Sequence, residues 1–254
     1  NANVNATSML LDGGTKTNTN LITATNGGTL NVAANIAQSA SGRLAADNGT
    51  INLGDVAISG GVLNATNGGV LQILGNTSLP AFNLQGPLDV MPGHALWVSG
   101  PCSHAGTIRV NPTSAAADTW MIVSADAALA GTGEVVLGAH PSNLNTGAIG
   151  YYTGGEVLTN AATHTIRGTG RIGATLVNQG AVLADQPGRV LAINSRPVVN
   201  TGLIQVTGGA LLDASVPITG SGQMAAADGT LRFLGGSVAG QQVSSAGAGL
   251  VGIN

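Results

Sequence analysis

The chain has 254 residues and weighs 24.8 kDa; 40 residues are Gly, 43% are hydrophobic and 2% are aromatic, so its side chains are small. Only 7% of residues are charged and the net charge is −3, which excludes charge-driven disorder and any partner that presents a row of phosphates. One cysteine, Cys102, excludes an internal disulfide, and the absence of a run of about 18 apolar residues excludes a membrane-spanning helix.

The chain begins at Asn1 without Met and without a charged-then-apolar leader, as expected for a processed product or a piece of something longer. Repetition starts early. Ala24-Thr25-Asn26-Gly27-Gly28-Thr29-Leu30-Asn31-Val32 returns as Ala45-Ala46-Asp47-Asn48-Gly49-Thr50-Ile51-Asn52-Leu53, and again as Ala65-Thr66-Asn67-Gly68-Gly69-Val70-Leu71-Gln72-Ile73. After each glycine the apolar residues alternate with polar ones, the period of a half-buried strand. A second strand precedes each phrase, as in Leu21-Ile22 and Val62-Leu63, behind a Gly-containing turn such as Ser59-Gly60-Gly61. Ala24, Ala45 and Ala65 stand four residues before the glycine, a place for a small residue in a crowded inner corner.

Residues 80–120 depart from this pattern. Pro80, Pro87, Pro92, Pro101 and Pro112 fall there with Phe82, Met91, Trp97 and Cys102. Strand-like pieces persist, among them Ala95-Leu96-Trp97-Val98 and Thr107-Ile108-Arg109-Val110. We read the stretch as coils with altered turns or a lateral loop, since it is too short to bury its own core. Further on, Val182-Leu183 and Leu203-Ile204 resume the strands, and Ala184, Gly188, Gly209 and Ala225 to Phe233 resume the phrase. The anchoring glycines 28, 49 and 69, then 188, 209 and 229, are spaced by 20 or 21, and 119 residues separate Gly69 from Gly188, close to six more such steps.

No segment offers a 3.6-residue pattern long enough for a helix. Two or three short strands and Gly/Asn turns every 20 residues predict an all-β chain: a single parallel β-helix running over residues 1–254. At about 4.8 Å per coil, some 12 coils make a rod of ~60 Å. Leu30, Ile51, Leu71 and Leu231 should face inward, and Leu at Ala45 or Ala65 should overpack the corner.

Thr165-Ile166-Arg167-Gly168-Thr169-Gly170-Arg171-Ile172, Leu176-Val177-Asn178-Gln179-Gly180-Ala181-Val182 and Ala128-Leu129-Ala130-Gly131-Thr132-Gly133-Glu134-Val135 resemble repeats of the filamentous-haemagglutinin-like and autotransporter-passenger class of bacterial surface proteins. The resemblance implies a right-handed β-helix exported to the cell surface or beyond. It carries no catalytic motif onto this chain.

Candidate chemistry is sparse. Asp47, Asp185 and Asp228 stand before repeat glycines where Asn26 and Asn67 stand in sister coils, which points to turn geometry. Asp118 and Asp126 are the acids nearest the irregular stretch, but no carboxylate pair of the kind a glycosidase needs is legible. His94, His104, His140 and His164 form no ligand spacing, and Cys102 near His104 is too little for zinc. Neither the GGxGxD calcium repeat nor a phosphate-binding loop occurs, so no cofactor or metal is expected. Thr15, Thr17 and Thr19 do not return each coil, against an ice-binding threonine ladder. His94, Trp97 and Trp120 are the candidate recognition patch; Gly28, Gly49, Gly69, Gly188, Gly209 and Gly229 are structural.

The expectation is a non-enzymatic extracellular or cell-surface β-solenoid, structural or adhesive, a building block of a fibre, sheath or matrix. An adhesin that touches a host or glycan through the irregular middle is the alternative, and a polysaccharide-degrading enzyme the third reading. Leu10-Leu11 near the start and Gly249 to Asn254 at the end carry no charge, so further coils or head-to-tail copies are the expected neighbours.

Overall fold

The structure, a computed structural model, describes residues 2–253; Asn1 and Asn254 lie outside the described residues. Its strands stack in parallel as a β-solenoid of about 12 turns with roughly 21 residues per turn, and the described residues contain no α-helix, only a 3-10 turn at Leu144–Thr146. Each coil contributes a strand to each of three ladders. The first ladder opens with Ala2–Asn5, Leu21–Thr25 and Arg43–Asp47, the second with Ser8–Leu11, Thr29–Val32 and Thr50–Leu53, the third with Lys16–Asn18, Ile36–Gln38 and Ile58–Ser59.

The interior is a set of apolar columns. In the second ladder, Met9, Leu30, Ile51, Leu71, Leu88, Ile108, Val135, Ile166, Val182, Ile204, Met224 and Val243 stand in register. Leu30, Ile51 and Leu71 are fully buried, and so is Leu231 in the third ladder. Burying each such side chain contributes roughly 1.5–3 kcal/mol. Along the column the step is 20 or 21 in the first coils, then shortens to 17 before Leu88, and lengthens to 27 before Val135 and 31 before Ile166. The long steps follow from the loops at residues 111–119 and 139–147, placed after most of the prolines. Pro80 ends Asn76–Pro80, Pro101 lies just past a register break in Ala95–His104, and Pro112 lies in the first of these loops.

Two expectations require correction. The phrase around Gly28, Gly49 and Gly69 turns the chain from the first ladder to the second; the phrase around Gly188, Gly209 and Gly229 turns it from the second to the third. The repeat has therefore slipped by one side of the coil between the two halves, and six even steps do not connect them. A Gly/Asn turn between a five- and a four-residue strand fits any corner, so sequence alone leaves the corner open.

The second correction concerns Ala45. Ala24, Ala46 and Ala65 are the stacked corner residues, whereas Ala45, itself buried at 8% exposure, is in register with Thr23 and Asn64 on the alternate positions of the strands. The turn Asn48-Gly49 is one residue shorter than Asn26-Gly27-Gly28, which displaces the count. Ala226 replaces Ala225 for the same reason, beside Asp228-Gly229. In these turns Asn26, Asn48, Asn67 or Asp228 is left-handed, with φ of 51 to 58°, and Gly27 and Gly68 follow Asn26 and Asn67 with φ of 74 and 82°. Gly28 and Gly49 serve a different purpose: a Cβ there would lie 2.5 Å from the Val4 carbonyl oxygen or 2.6 Å from that of Ala24, so only glycine lets adjacent coils approach.

A buried polar spine runs along the first ladder. Asn160, Asn178 and Asn200 are in register and fully buried. Each Nδ2 donates to the amide oxygen of the next coil, Asn160 to Asn178 and Asn178 to Asn200, both at 2.7 Å, and Asn200 donates to Gln241 Oε1 at 2.7 Å. The amides also donate to backbone carbonyls of Ala181, Leu203 and Gln223. The ladder thus satisfies groups that burial would otherwise penalise. Asn18 and Gln38 repeat the device in the third ladder of the first coils, at 2.9 Å.

Candidate functional site

The outer side of the third ladder gathers four of the six aromatic residues. Strand Ala95–His104 carries Trp97, and strand Trp120–Ala130 opens with Trp120. Both point away from the core, since Leu96, Val98, Met121 and Val123 on alternate positions are fully buried. Trp120 is in register with Ala95 on one side and Ala148 on the other, and Ala148 with Arg171, which in turn meets Ala192. Large side chains therefore alternate with alanines, and each can lie across its small neighbour. Trp120 also leans over Gly150, where a Cβ would come within 2.9 Å of the indole.

Two arginines stack on this aromatic surface. The Arg171 guanidinium carbon is 4.9 Å from the Trp120 ring centroid, and that of Arg196 is 4.6 Å from the Tyr151 ring. Tyr152 meets Trp97 edge-on at 5.5 Å. The loop that presents the tyrosines is held by Glu156, which accepts hydrogen bonds from the Thr153 hydroxyl and the Thr153 and Gly154 amides. These bonds, the hydroxyl's first, hold its carboxyl down to about 2. Trp120, Ile122, Gly150, Tyr151, Arg171 and Ser195 line an open cleft of about 370 Å³.

Among the described residues, three of the other arginines are held by acids, while Arg43 and Arg189 are not. Arg109 pairs with Asp89, Arg232 with Asp213, and Arg167 with both Glu134 and Asp185. Arg171 and Arg196 make no ion pair among the described residues, and the Nε of each is covered without an acceptor. The cleft is thus a site of uncompensated positive charge framed by rings.

Of the sequence candidates, Trp97 and Trp120 lie on this face. His94 stands in the turn before the strand, its carbonyl accepting from the Trp120 amide, and does not line the cleft. Tyr151, Tyr152, Arg171 and Arg196 join the face without a spacing motif that marks them in the sequence. Their signal was compositional: in a chain with two Trp, two Tyr and two Phe, a Tyr-Tyr pair is a concentration of ring surface.

The carboxylates are engaged elsewhere. Asp47 accepts from Asn67 Nδ2 at 2.6 Å and Asp185 joins Arg167; neither has a left-handed backbone, whereas Asp228 does, with φ of 58°. Asp118 accepts from Asn143 Nδ2, and Asp126 from the Val157 amide. The bond from Arg167 holds the Glu134 carboxyl below its ordinary range.

His104 and His164 meet in the core, Nε2 to Nε2 at 2.7 Å, and His164 Nδ1 is 2.5 Å from Asn160 Oδ1, so the pair caps the asparagine spine. Burial pushes both rings toward the neutral form, His164 down to about 3, with the neighbouring His104 adding to the effect. His140 contacts Ser142 at the surface. Burial pushes the Cys102 thiol up to about 12. No three His, Cys, Asp or Glu converge as a metal site among the described residues. Thr17 is followed in register by Ala37 and Ser59, so the Thr-x-Thr is not a ladder. Gly188 and Gly209 take left-handed φ of 68 and 76° in open turns, and Gly69 and Gly229 lie close against neighbouring coils. A second groove, about 460 Å³, follows the corner beside His164, Thr165, Thr201 and Gln223, and no Trp, Tyr, Phe, Asp, Glu, Lys or Arg lines it.

No protein family and no curated protein matches the chain. Among solved structures it is similar to a crystal structure of a TibC-catalysed hyper-glycosylated TibA fragment, residues 55–350. The alignment covers 100% of this chain and 97% of that one, at 13% identity and a TM-score of 0.27, a likeness too slight to carry an argument. No helix among the described residues is long and apolar enough to cross a membrane.

Proposed function

We propose that the chain is a non-enzymatic, extracellular structural and adhesive β-solenoid, a rod within a bacterial surface fibre, sheath or matrix. The observation that carries the reading is the use made of the acids. Asp89, Glu134, Asp185 and Asp213 are tied into ion pairs, while Asp55, Asp126, Glu156 and Asp228 accept backbone amides. A glycosidase needs one carboxyl raised to act as an acid, and the resolved shifts, at Glu134 and Glu156, run the other way. The resemblance of the repeats to surface-protein repeats supports the location. In the last coil Val243, Leu250 and Ile253 are exposed; a further coil, of the same polypeptide or another copy, would cover them. Immunogold labelling of intact and broken source cells tests the proposal: label on intact cells supports it, and label confined to broken cells overturns it.

The adhesin reading is favoured by a separate observation, the aromatic and arginine face of the third ladder. A rigid stack of hydrogen-bonded coils holds such a face fixed, which lowers the ordering cost of binding.

A further inference from the structure

We propose that the outer face of the third ladder, around Trp120, Tyr151, Arg171 and Arg196, binds the carboxylate-bearing sugar units of an acidic polysaccharide. The inference deepens the adhesive reading and rests on it.

The chemistry of the cleft selects this class. Trp120 and Tyr151 carry the guanidinium groups, and beside them Trp97 and the exposed Tyr152 offer apolar ring surface of the kind that packs against the C–H face of a sugar ring. Arg171 and Arg196 offer planar donor sets matched to a carboxylate, and each lacks an acid partner. Stacked on Trp120 and Tyr151 at 4.9 and 4.6 Å, the guanidinium groups are fixed in orientation before a ligand arrives. Neutral sugars would leave these two charges unanswered. A polyphosphate chain would meet a molecule of net charge −3 with Arg171 lining the cleft and Arg196 beside it on Tyr151, too few cations for the phosphate spacing of a nucleic acid. A protein partner needs about 800 Å² on each side, whereas a cleft of about 370 Å³ lies at the small end of those that hold small ligands and short oligosaccharide segments.

The position in the fold fits a polymer. Coils follow one another every ~4.8 Å, and Trp97, Trp120 and Arg171 follow each other along the rod on successive or alternate coils. Successive sugar units of an extended chain can therefore meet a ring, then a guanidinium. Alternative sites carry less: the long corner groove is lined by no Trp, Tyr or Phe and by no Lys or Arg, and the buried histidine pair is closed to ligands, with His104 and His164 each 1% exposed.

The test uses intrinsic fluorescence, because the only two tryptophans, Trp97 and Trp120, both lie on this face. The full chain is titrated with an oligogalacturonate of about six units, with maltohexaose as the neutral counterpart and with acetate as a carboxylate without a ring. A saturable change with oligogalacturonate, at least about tenfold weaker in Arg171→Gln and in Arg196→Gln, supports the proposal, provided both variants keep the β circular dichroism spectrum. Equal affinity for maltohexaose, the same response to acetate at equal carboxylate concentration, unchanged affinity in both variants, or no response to oligogalacturonate at about 10 mM would each overturn it. Shortening of the oligosaccharide during the titration would instead overturn the non-enzymatic reading, and leaves the ligand class standing if binding is seen.

Discussion

Asn178 is the residue whose removal should show what the polar spine contributes. It is fully buried, accepts from Asn160 and donates to Asn200 and Leu203. In Asn178→Ala the Asn200 oxygen loses its donor and the Asn160 amide keeps only the Ala181 carbonyl. Each stranded group costs about 1–3 kcal/mol, so the variant should lose roughly 2–4 kcal/mol, with a small cavity adding to the loss. Asn178→Asp should be worse at neutral pH, because it buries a charge without a cation. Gln205→Ala, on the outer side of the second ladder, should stay within about 0.5 kcal/mol of the parent. Urea unfolding followed by circular dichroism gives the order. An Asn178→Ala midpoint equal to that of Gln205→Ala, or an Asn178→Leu variant as stable as the parent, would refute the reasoning.

Other perturbations separate neighbouring claims. Ala46→Leu should lose about 1–3 kcal/mol by overpacking the corner, while Ala45→Leu, buried at 8% exposure but on the alternate position of the strand and outside the core cluster, should lose less; equal losses in thermal unfolding would contradict the corrected register. Because burial lowers the folded-state value of His164 to about 3, the unfolded chain binds more protons below pH ~6.5. Stability should therefore be full above that pH and fall by up to about 1.4 kcal/mol per unit for His164 as pH drops toward 3, with His104 adding in the same direction. Urea midpoints between pH 7.5 and 5 should decline, and flat midpoints would show that the pair is not buried. Cys102, fully buried with its thiol raised to about 12, should react with a disulfide reagent only as fast as the chain opens; rapid labelling of the native protein would contradict its placement.

The sequence carried the fold because alternation and glycine spacing act locally: Leu30, Ile51 and Leu71 each follow their glycine by two residues, and each is inside. It did not carry the choice of corner. Asn48-Gly49 and Asn26-Gly27-Gly28 differ by a residue yet make the same bend, and the phrase near Gly209 serves another side of the coil. The candidate site was legible in half. Trp97 and Trp120 stand out as rings in a ring-poor chain, but Arg171 and Arg196 reach them only through coils lengthened to 27 and 31 residues, where a count by 20 loses register. The same lengthening brings His164 onto His104, 60 positions away, and hides that pair from any ligand spacing.

The central claim, a rod that holds a polysaccharide without cutting it, is tested most directly by incubating the protein with an insoluble acidic polysaccharide and measuring, in one sample, both the protein retained after washing and the chain length of the polymer. The account predicts retention with an unchanged chain-length distribution; shortened chains, or a protein that washes away completely, would contradict it.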